Sequence, residues 1–384
     1  MNKKALFVII AILMLPQLIL SQSVNLNFIG AGARARGMGG AFIGVADDAT
    51  AASWNPAGLV RLEAAEASIV GIYESYTPST DVEGFDAEPY KYSHVGLNFG
   101  SIALPLAIGQ RNLVAAVAYQ KVIDLYYKYE DDDVNQERTG GVNTIIPSIG
   151  IQLTPIFSLG ASVNIYTGSS DYKQEDKTGW LYSDIEEGYE YSGMNFTIGG
   201  LFDFDRFRLG VVFKTPFGLN ETENNSDYDV TIHMPKILGG GIAYAATEQL
   251  TIALDYEMRS FSESTTEYNK DYGLHREGDE EDLDWKDINQ LRLGAEYLLM
   301  SGENIFPIRL GLATTPLPYE DNNGDQIVGV NFTAGVGLIM GNINLDVGFE
   351  YNTYQYEINS GLQKYDFSDN YLRLIVAGVF HFGQ

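Results

Sequence analysis

Residues 250–259 read Leu250-Thr251-Ile252-Ala253-Leu254-Asp255-Tyr256-Glu257-Met258-Arg259, and this stretch decides the fold. Ile252, Leu254, Tyr256 and Met258 alternate with Ala253, Asp255, Glu257 and Arg259, so a strand built here has one apolar and one ionic face. The pattern returns in Phe207, Leu209, Val211 and Phe213 against Arg208, Gly210, Val212 and Lys214, and in Leu291, Leu293, Ala295 and Tyr297 against Arg292, Gly294, Glu296 and Leu298. It appears again in Leu345, Val347, Phe349 and Tyr351 against Asp346, Gly348, Glu350 and Asn352, and in Leu372, Leu374 and Val376 against Arg373, Ile375 and Ala377.

Segments of this kind follow one another from Glu66 to the end. Tight turns at Gly109-Gln110, Thr154-Pro155, Asp203 to Asp205, Thr247-Glu248, Ser301 to Asn304 and Gly341-Asn342 alternate with longer polar loops. A soluble β-sandwich also alternates, but short turns on one side and long loops on the other are the asymmetry of a transmembrane barrel. The predicted strands are 65–73, 98–108, 111–123, 143–153, 157–167, 191–202, 206–215, 236–246, 249–260, 288–299, 305–314, 328–340, 343–357 and 371–383. That is a 14-stranded antiparallel transmembrane β-barrel of the all-β class. Pro105 and Pro307 fall inside predicted strands and call for bulges or strand ends.

The chain of 384 residues is rich in Gly (41), Tyr (25) and Phe (19), with only 20% charged residues, as suits strands that alternate apolar outward and polar inward. Lys3 and Lys4, the apolar run Ala5 to Leu15 and the small Ser21 read as a secretory signal over residues 1–21. No later stretch supplies the roughly 20 apolar residues of a spanning helix. There is no cysteine, which excludes disulfides, a cysteine-anchored lipid and thiolate chemistry. A net charge of −27, from 24 Lys and Arg against 51 Asp and Glu, excludes nucleic acid as a partner.

Between signal and barrel, residues 22–64 are rich in Gly and Ala, lack alternation and contain Asn55-Pro56, so short helices and turns are expected. Gly37-Met38-Gly39-Gly40-Ala41-Phe42, Ala46-Asp47-Asp48-Ala49-Thr50 and Trp54-Asn55-Pro56-Ala57-Gly58-Leu59 closely resemble the N-terminal hatch of the FadL/TodX outer-membrane transporters, whose hallmark is Asn-Pro-Ala. Met234-Pro235-Lys236, Glu248-Gln249-Leu250 and Tyr256-Glu257 are similar to that family's middle strands, and the strand count matches. The resemblance spans essentially the mature chain. It implies a small helical hatch in the lumen (22–64) of a barrel (65–384) in a Gram-negative outer membrane. It further implies passive uptake of long-chain fatty acids or aromatic and aliphatic hydrocarbons, with movement of the hatch around Asn55, Pro56 and Ala57 and sideways release through the wall. The PorV-like barrels that serve protein secretion share a similar N-terminal segment and give the alternative reading, in which a protein partner is expected.

Other chemistry is thinly represented. Gly30-Ala31-Gly32-Ala33-Arg34-Ala35 satisfies a dinucleotide fingerprint but lacks the βαβ unit the motif needs, so small residues packing a hatch explain it better. Glu320 to Asp325 begins like a calcium loop, then places Gln326 where Gly is needed and Phe332 where the closing Glu belongs. His94, His233, His275 and His381 share no metal-ligand spacing, and no G-x-S-x-G frames a nucleophile, so neither a metal, a cofactor nor an enzyme is expected. The acidic runs Asp131 to Asp133 and Asp279 to Asp282 fall in loops, as solvated faces or as sites of divalent bridging to lipopolysaccharide. Lys121, Arg208, Lys214, Arg292, Arg309 and Arg373 face the lumen with Asp255, Glu257, Glu296, Asp346 and Glu350. Most should form cross-strand salt bridges, such as Glu296 with Arg309. A ligand carboxylate would need a cation left over, and Arg309 and Arg292 are the candidates for ligand binding.

Overall fold

The computed structural model describes residues 30–82, 91–108, 111–179, 183–321, 323–359 and 364–383. The expected signal peptide and the turn at Gly109-Gln110 lie outside them. The strands in chain order are β1 (Ala65–Val82), β2 (Tyr92–Ile108), β3 (Arg111–Asp124), β4 (Tyr127–Glu130), β5 (Val134–Thr154), β6 (Phe157–Asp176), β7 (Ile185–Phe204), β8 (Phe207–Lys214), β9 (Phe217–Glu223) and β10 (Asp229–Met234). They continue as β11 (Ile237–Ala245), β12 (Leu250–Arg259), β13 (Thr265–Tyr268), β14 (Glu280–Asp282), β15 (Ile288–Ser301), β16 (Asn304–Glu320), β17 (Gln326–Met340), β18 (Ile343–Asn359) and β19 (Lys364–Phe382).

Fourteen of these form a closed antiparallel barrel, since β1 pairs with β2 on one side and with β19 on the other, from Ala65 opposite Phe382 to Val82 opposite Tyr365. The other five, β4, β9, β10, β13 and β14, extend the wall at the loop end. The alternation settles which face points where. Ile252, Leu254 and Tyr256 are 39%, 44% and 50% exposed, whereas Asp255, Glu257 and Arg259 are 1%, 7% and 0% exposed. Apolar outside and ionic inside inverts a soluble protein, and such a surface is stable only in apolar surroundings.

Strands run further toward the loop end than the alternation predicts. β1 continues to Val82 and β5 begins at Val134, because beyond the apolar band both faces meet water and the period-2 signal fades while the backbone ladder goes on. Pro105 pairs with Val114 on β3 and lies past the last β1 partner, Ala103, where the β1–β2 ladder has ended. Pro307 sits where the β16–β17 ladder skips from Ile305 to Ile308.

Residues 30–64 fill the lumen. Two short helices, Ala33–Gly37 and Ala51–Trp54, a 3₁₀ helix, Pro56–Arg61, and the turns between them bury Leu59 of the 3₁₀ helix and Met38, Phe42 and Ile43 of the turns at 1% exposure or less. The wall accommodates this plug with glycine. A methyl group at Gly160 would stand 2.2 Å from the Ala57 nitrogen, at Gly210 2.2 Å from the Ile43 oxygen, at Gly294 2.3 Å from the Met38 oxygen and at Gly311 2.1 Å from the Gly39 nitrogen. Plug backbone and strand backbone therefore touch around much of the circumference, which no residue with a Cβ allows.

Candidate functional site

The Asn-Pro-Ala turn ties the plug together and ties it to the wall. Asn55 caps the 3₁₀ helix, its Oδ1 accepting from the Ala57 N–H at 3.2 Å, with Pro56 at the first helical position where no N–H is needed. Its Nδ2 donates to the carbonyls of Ile43 in the plug and Gly200 in β7, both at 3.1 Å. Asn55 is fully buried, so these bonds have no competing water.

Charge does the rest of the anchoring. Arg34 forks onto Glu296 of β15 through Nε and Nη2, each at 2.9 Å, and reaches Asp47 at 2.5 Å. Arg208 of β8 meets Asp47 at 3.1 Å and donates to the Val45 carbonyl at 3.0 Å. Arg36 pairs with Glu350 of β18, and the Asp255 carboxylate accepts from the Phe42 and Ile43 amides at 2.7 and 2.8 Å. Within the plug, burial raises the Asp48 carboxyl to about 6, and nearby Glu66 pushes the same way, while Arg34 and Arg208 overcome burial and hold Asp47 at about 2.

The two arginines expected to face a ligand are both enclosed. Arg309 lies between Glu296, at 2.6 Å from its Nε, and Asp346, so the cross-strand pair with Glu296 forms and Arg309 is engaged on both sides. Arg292 donates from Nη2 to Gln290 at 2.6 Å, pairs with Glu257 at 3.1 Å and stacks over the Trp54 ring of the plug at 5.7 Å. Its Nη1 is buried with no hydrogen-bond partner. At the calcium-like loop, the Asp321 carboxylate accepts from the amides of Asn323 and Asp325 and caps its own turn.

Above the plug the lumen narrows and then opens. A chamber of about 20 Å³, room for about one water, is bounded by Ser53 and Gly30 of the plug and by Val122, Ile146, Lys214 and Met234 of the wall. Met234 also lines the cavity above it, a vestibule of about 890 Å³ at the loop end. Ile123, Val142, Leu219, Val230 and Ile232 form its apolar floor. Tyrosines from separate elements form its sides: Tyr228 packs edge-on against Tyr272 at 5.2 Å and lies 6.3 Å from Tyr189, and Trp285 meets Tyr319 at 5.8 Å. Loops whose acidic runs are expected to be solvated thus build an aromatic cavity that no pattern in the sequence marks. Its one trace was the abundance of tyrosine within them.

Beside the chamber the wall is incompletely laced. The β2–β3 ladder runs from Ile108 opposite Arg111 to Phe99 opposite Gln120, and no further pairing is found among the described residues. Past that point one side-chain contact, His94 with Asp124, crosses between the strands. His94 Nε2 lies 2.8 Å from Asp124 Oδ2, Lys121 donates to the same oxygen at 3.1 Å, and the Tyr126 ring stacks on His94 at 4.4 Å. Gln120 and Val122, at this parting, line the chamber.

No family profile and no curated protein matches the sequence. Solved structures do match. A FadL homologue of Pseudomonas aeruginosa superposes with a TM-score of 0.67 at 12% identity, over 92% of this chain and 99% of that one. The chain has the fold of the FadL/TodX barrels. The toluene transporter TodX of P. putida gives 0.65 at 12% identity over 93% and 100% of the two chains, and the toluene transporter TbuX of Ralstonia pickettii gives 0.60 at 17% over 93% and 100%. At such identities the FadL/TodX likeness is one of architecture, and this chain's own residues must supply its chemistry.

Proposed function

We propose that the chain is an outer-membrane channel for passive uptake of hydrophobic small molecules, long-chain fatty acids or aromatic and aliphatic hydrocarbons. The observation that carries this reading is an apolar, aromatic-walled vestibule at the loop end of a lumen filled by the plug. An acyl or aromatic ligand gains about 0.8 kcal/mol per CH₂ removed from water, so it would collect in the vestibule and avoid a wet pore. The toluene transporters among the structural neighbours accord with this.

In this reading residues 1–21 are the signal, 22–64 the hatch and 65–384 the barrel, with the vestibule outside the cell and the tight turns in the periplasm. Residues 30–64 fill the lumen below the vestibule, so transfer in this reading goes with a shift of the hatch around Asn55, Pro56 and Ala57. Release sideways into the membrane would use the seam between β2 and β3, where the His94–Asp124 contact stands in for backbone bonds. Of the two candidate arginines, Arg309 and Arg292, Arg292 keeps a donor for a ligand oxygen. As a non-enzyme, the channel needs no cofactor.

The test is uptake of radiolabelled toluene and oleate by cells that express the chain in place of their own transporter, together with identification of what the purified barrel retains. Uptake of neither, with a stoichiometric protein partner retained instead, would replace this reading by the secretion-linked one.

A further inference from the structure

The vestibule that would collect an apolar ligand is also strongly acidic. Six carboxylates line it, from Glu221, Glu223, Glu281, Asp282, Asp284 and Glu320, against one arginine, Arg138, and one histidine, His275. Glu281 is paired with His275 at 3.4 Å and Glu320 with Lys286 at 2.8 Å. The other four form no ion pair among the described residues. Such a concave surface focuses a negative potential into the cavity rather than spreading it over the rim.

Glu221 is the informative member. It stands on β9, inside the tyrosine wall beside Tyr191 and Tyr228, with no hydrogen-bond or ion-pair partner for its side chain among the described residues. Burial lifts its carboxyl above the ordinary range while Arg138 opposes, the direction expected of a carboxylate short of positive charge. The same cavity already holds one organic cation of its own. The Arg138 guanidinium lies over the Tyr189 ring at 5.2 Å and donates to the Tyr191 hydroxyl at 3.1 Å. A planar cation on a tyrosine face is thus a geometry this wall supports, and Tyr228 offers further aromatic surface near Glu221, with Tyr272 on the same cavity.

We infer that the vestibule is a binding site for apolar compounds bearing an organic cation, an aryl or alkyl ammonium, with Glu221 as counter-charge and the tyrosines as the cage, and that it disfavours carboxylates. The inference rests on the uptake reading and narrows it. Neutral hydrocarbons still enter by the apolar floor, whereas an anion must first pass the acids.

Equilibrium dialysis of the full-length channel in lipid nanodiscs tests it with three probes of one shape: benzyltrimethylammonium, benzyl alcohol and benzoate, each corrected for empty nanodiscs. At low salt the ammonium is expected to bind about tenfold or more tighter than benzoate, with the alcohol between them and the gap closing at high salt. Glu221→Gln with Glu223→Gln should lower ammonium affinity about tenfold and leave the alcohol unchanged. Tyr228→Ala should weaken both. Benzoate binding as tightly as the ammonium, no retention of any probe, or a double variant that binds the ammonium like the parent would each overturn the inference. Hydrocarbon uptake is measured separately on the same preparations. Uptake without ammonium binding leaves the uptake reading standing alone, and binding without uptake does the reverse.

Discussion

Replacing Asn55 separates its two jobs. Asn55→Ala removes the cap on Ala57 and both Nδ2 bonds, to Ile43 and to Gly200. Loss of a cap costs about 1 kcal/mol, and each buried carbonyl left short of a donor costs about 1 kcal/mol at the low end, since Gly200 also sits within the sheet. The sum is about 3 kcal/mol against the docked plug, or about a hundredfold more plug opening. Asn55→Asp keeps the capping oxygen, and aspartate caps helices as well as asparagine does. It nonetheless points an acceptor at two carbonyl oxygens, so it is expected to open the plug more than Asn55→Ala. Hydrogen exchange by mass spectrometry, comparing peptides within residues 30–64 with barrel peptides, reads this directly. An Asn55→Asp variant that protects the plug as well as the parent would refute the claim that the Nδ2 donors hold it.

Gly160→Ala, which sets a methyl 2.2 Å from plug backbone, should displace the plug or block folding, seen as protease cleavage within residues 30–64, whereas Gly71→Ala, with nothing nearer than 3.9 Å, should fold normally. Glu296→Gln leaves Arg34 and Arg309 with one acidic partner less and should cost about 3 kcal/mol, read as faster exchange of the Ala33–Gly37 helix. The folded plug raises the Asp48 carboxyl from its ordinary value to about 6, so its contribution to plug docking is full below about pH 4 and is lost as pH rises through about 6. Protease access to the plug should increase over that range, and Asp48→Asn should flatten the change. His94→Cys with Asp124→Cys, in a chain that has no cysteine of its own, should let a short bifunctional thiol cross-linker fasten the β2–β3 seam and lower hydrocarbon uptake relative to either single variant.

The barrel was legible because lipid-facing strands must alternate, and the alternation in Leu250 to Arg259 is nearly free of exceptions. The pair Glu296 and Arg309 could be foreseen since neighbouring strands place them opposite each other. Other features left no such trace. Arg34 and Arg36 meet acids more than 260 and 310 residues away, a distance on which local periodicity is silent. The vestibule joins Tyr189, Tyr228, Tyr272 and Trp285 from different loop-end segments, where water on both faces erases the period-2 signal. The strand ends were missed for the same reason.

The close fit between plug and glycine-bearing wall also constrains how the molecule is put together. With strand backbone within a methyl's breadth of plug backbone, there is no clearance through which residues 30–64 could be threaded into a finished ring. The plug leads directly into β1, and β1 is one half of the seam with β19 that closes the barrel. The plug, which precedes β1 in the chain, must therefore wait, roughly formed, while the sheet curls around it and β1 meets β19. Assembly is an act of wrapping, and the N-terminal residues serve as the mandrel.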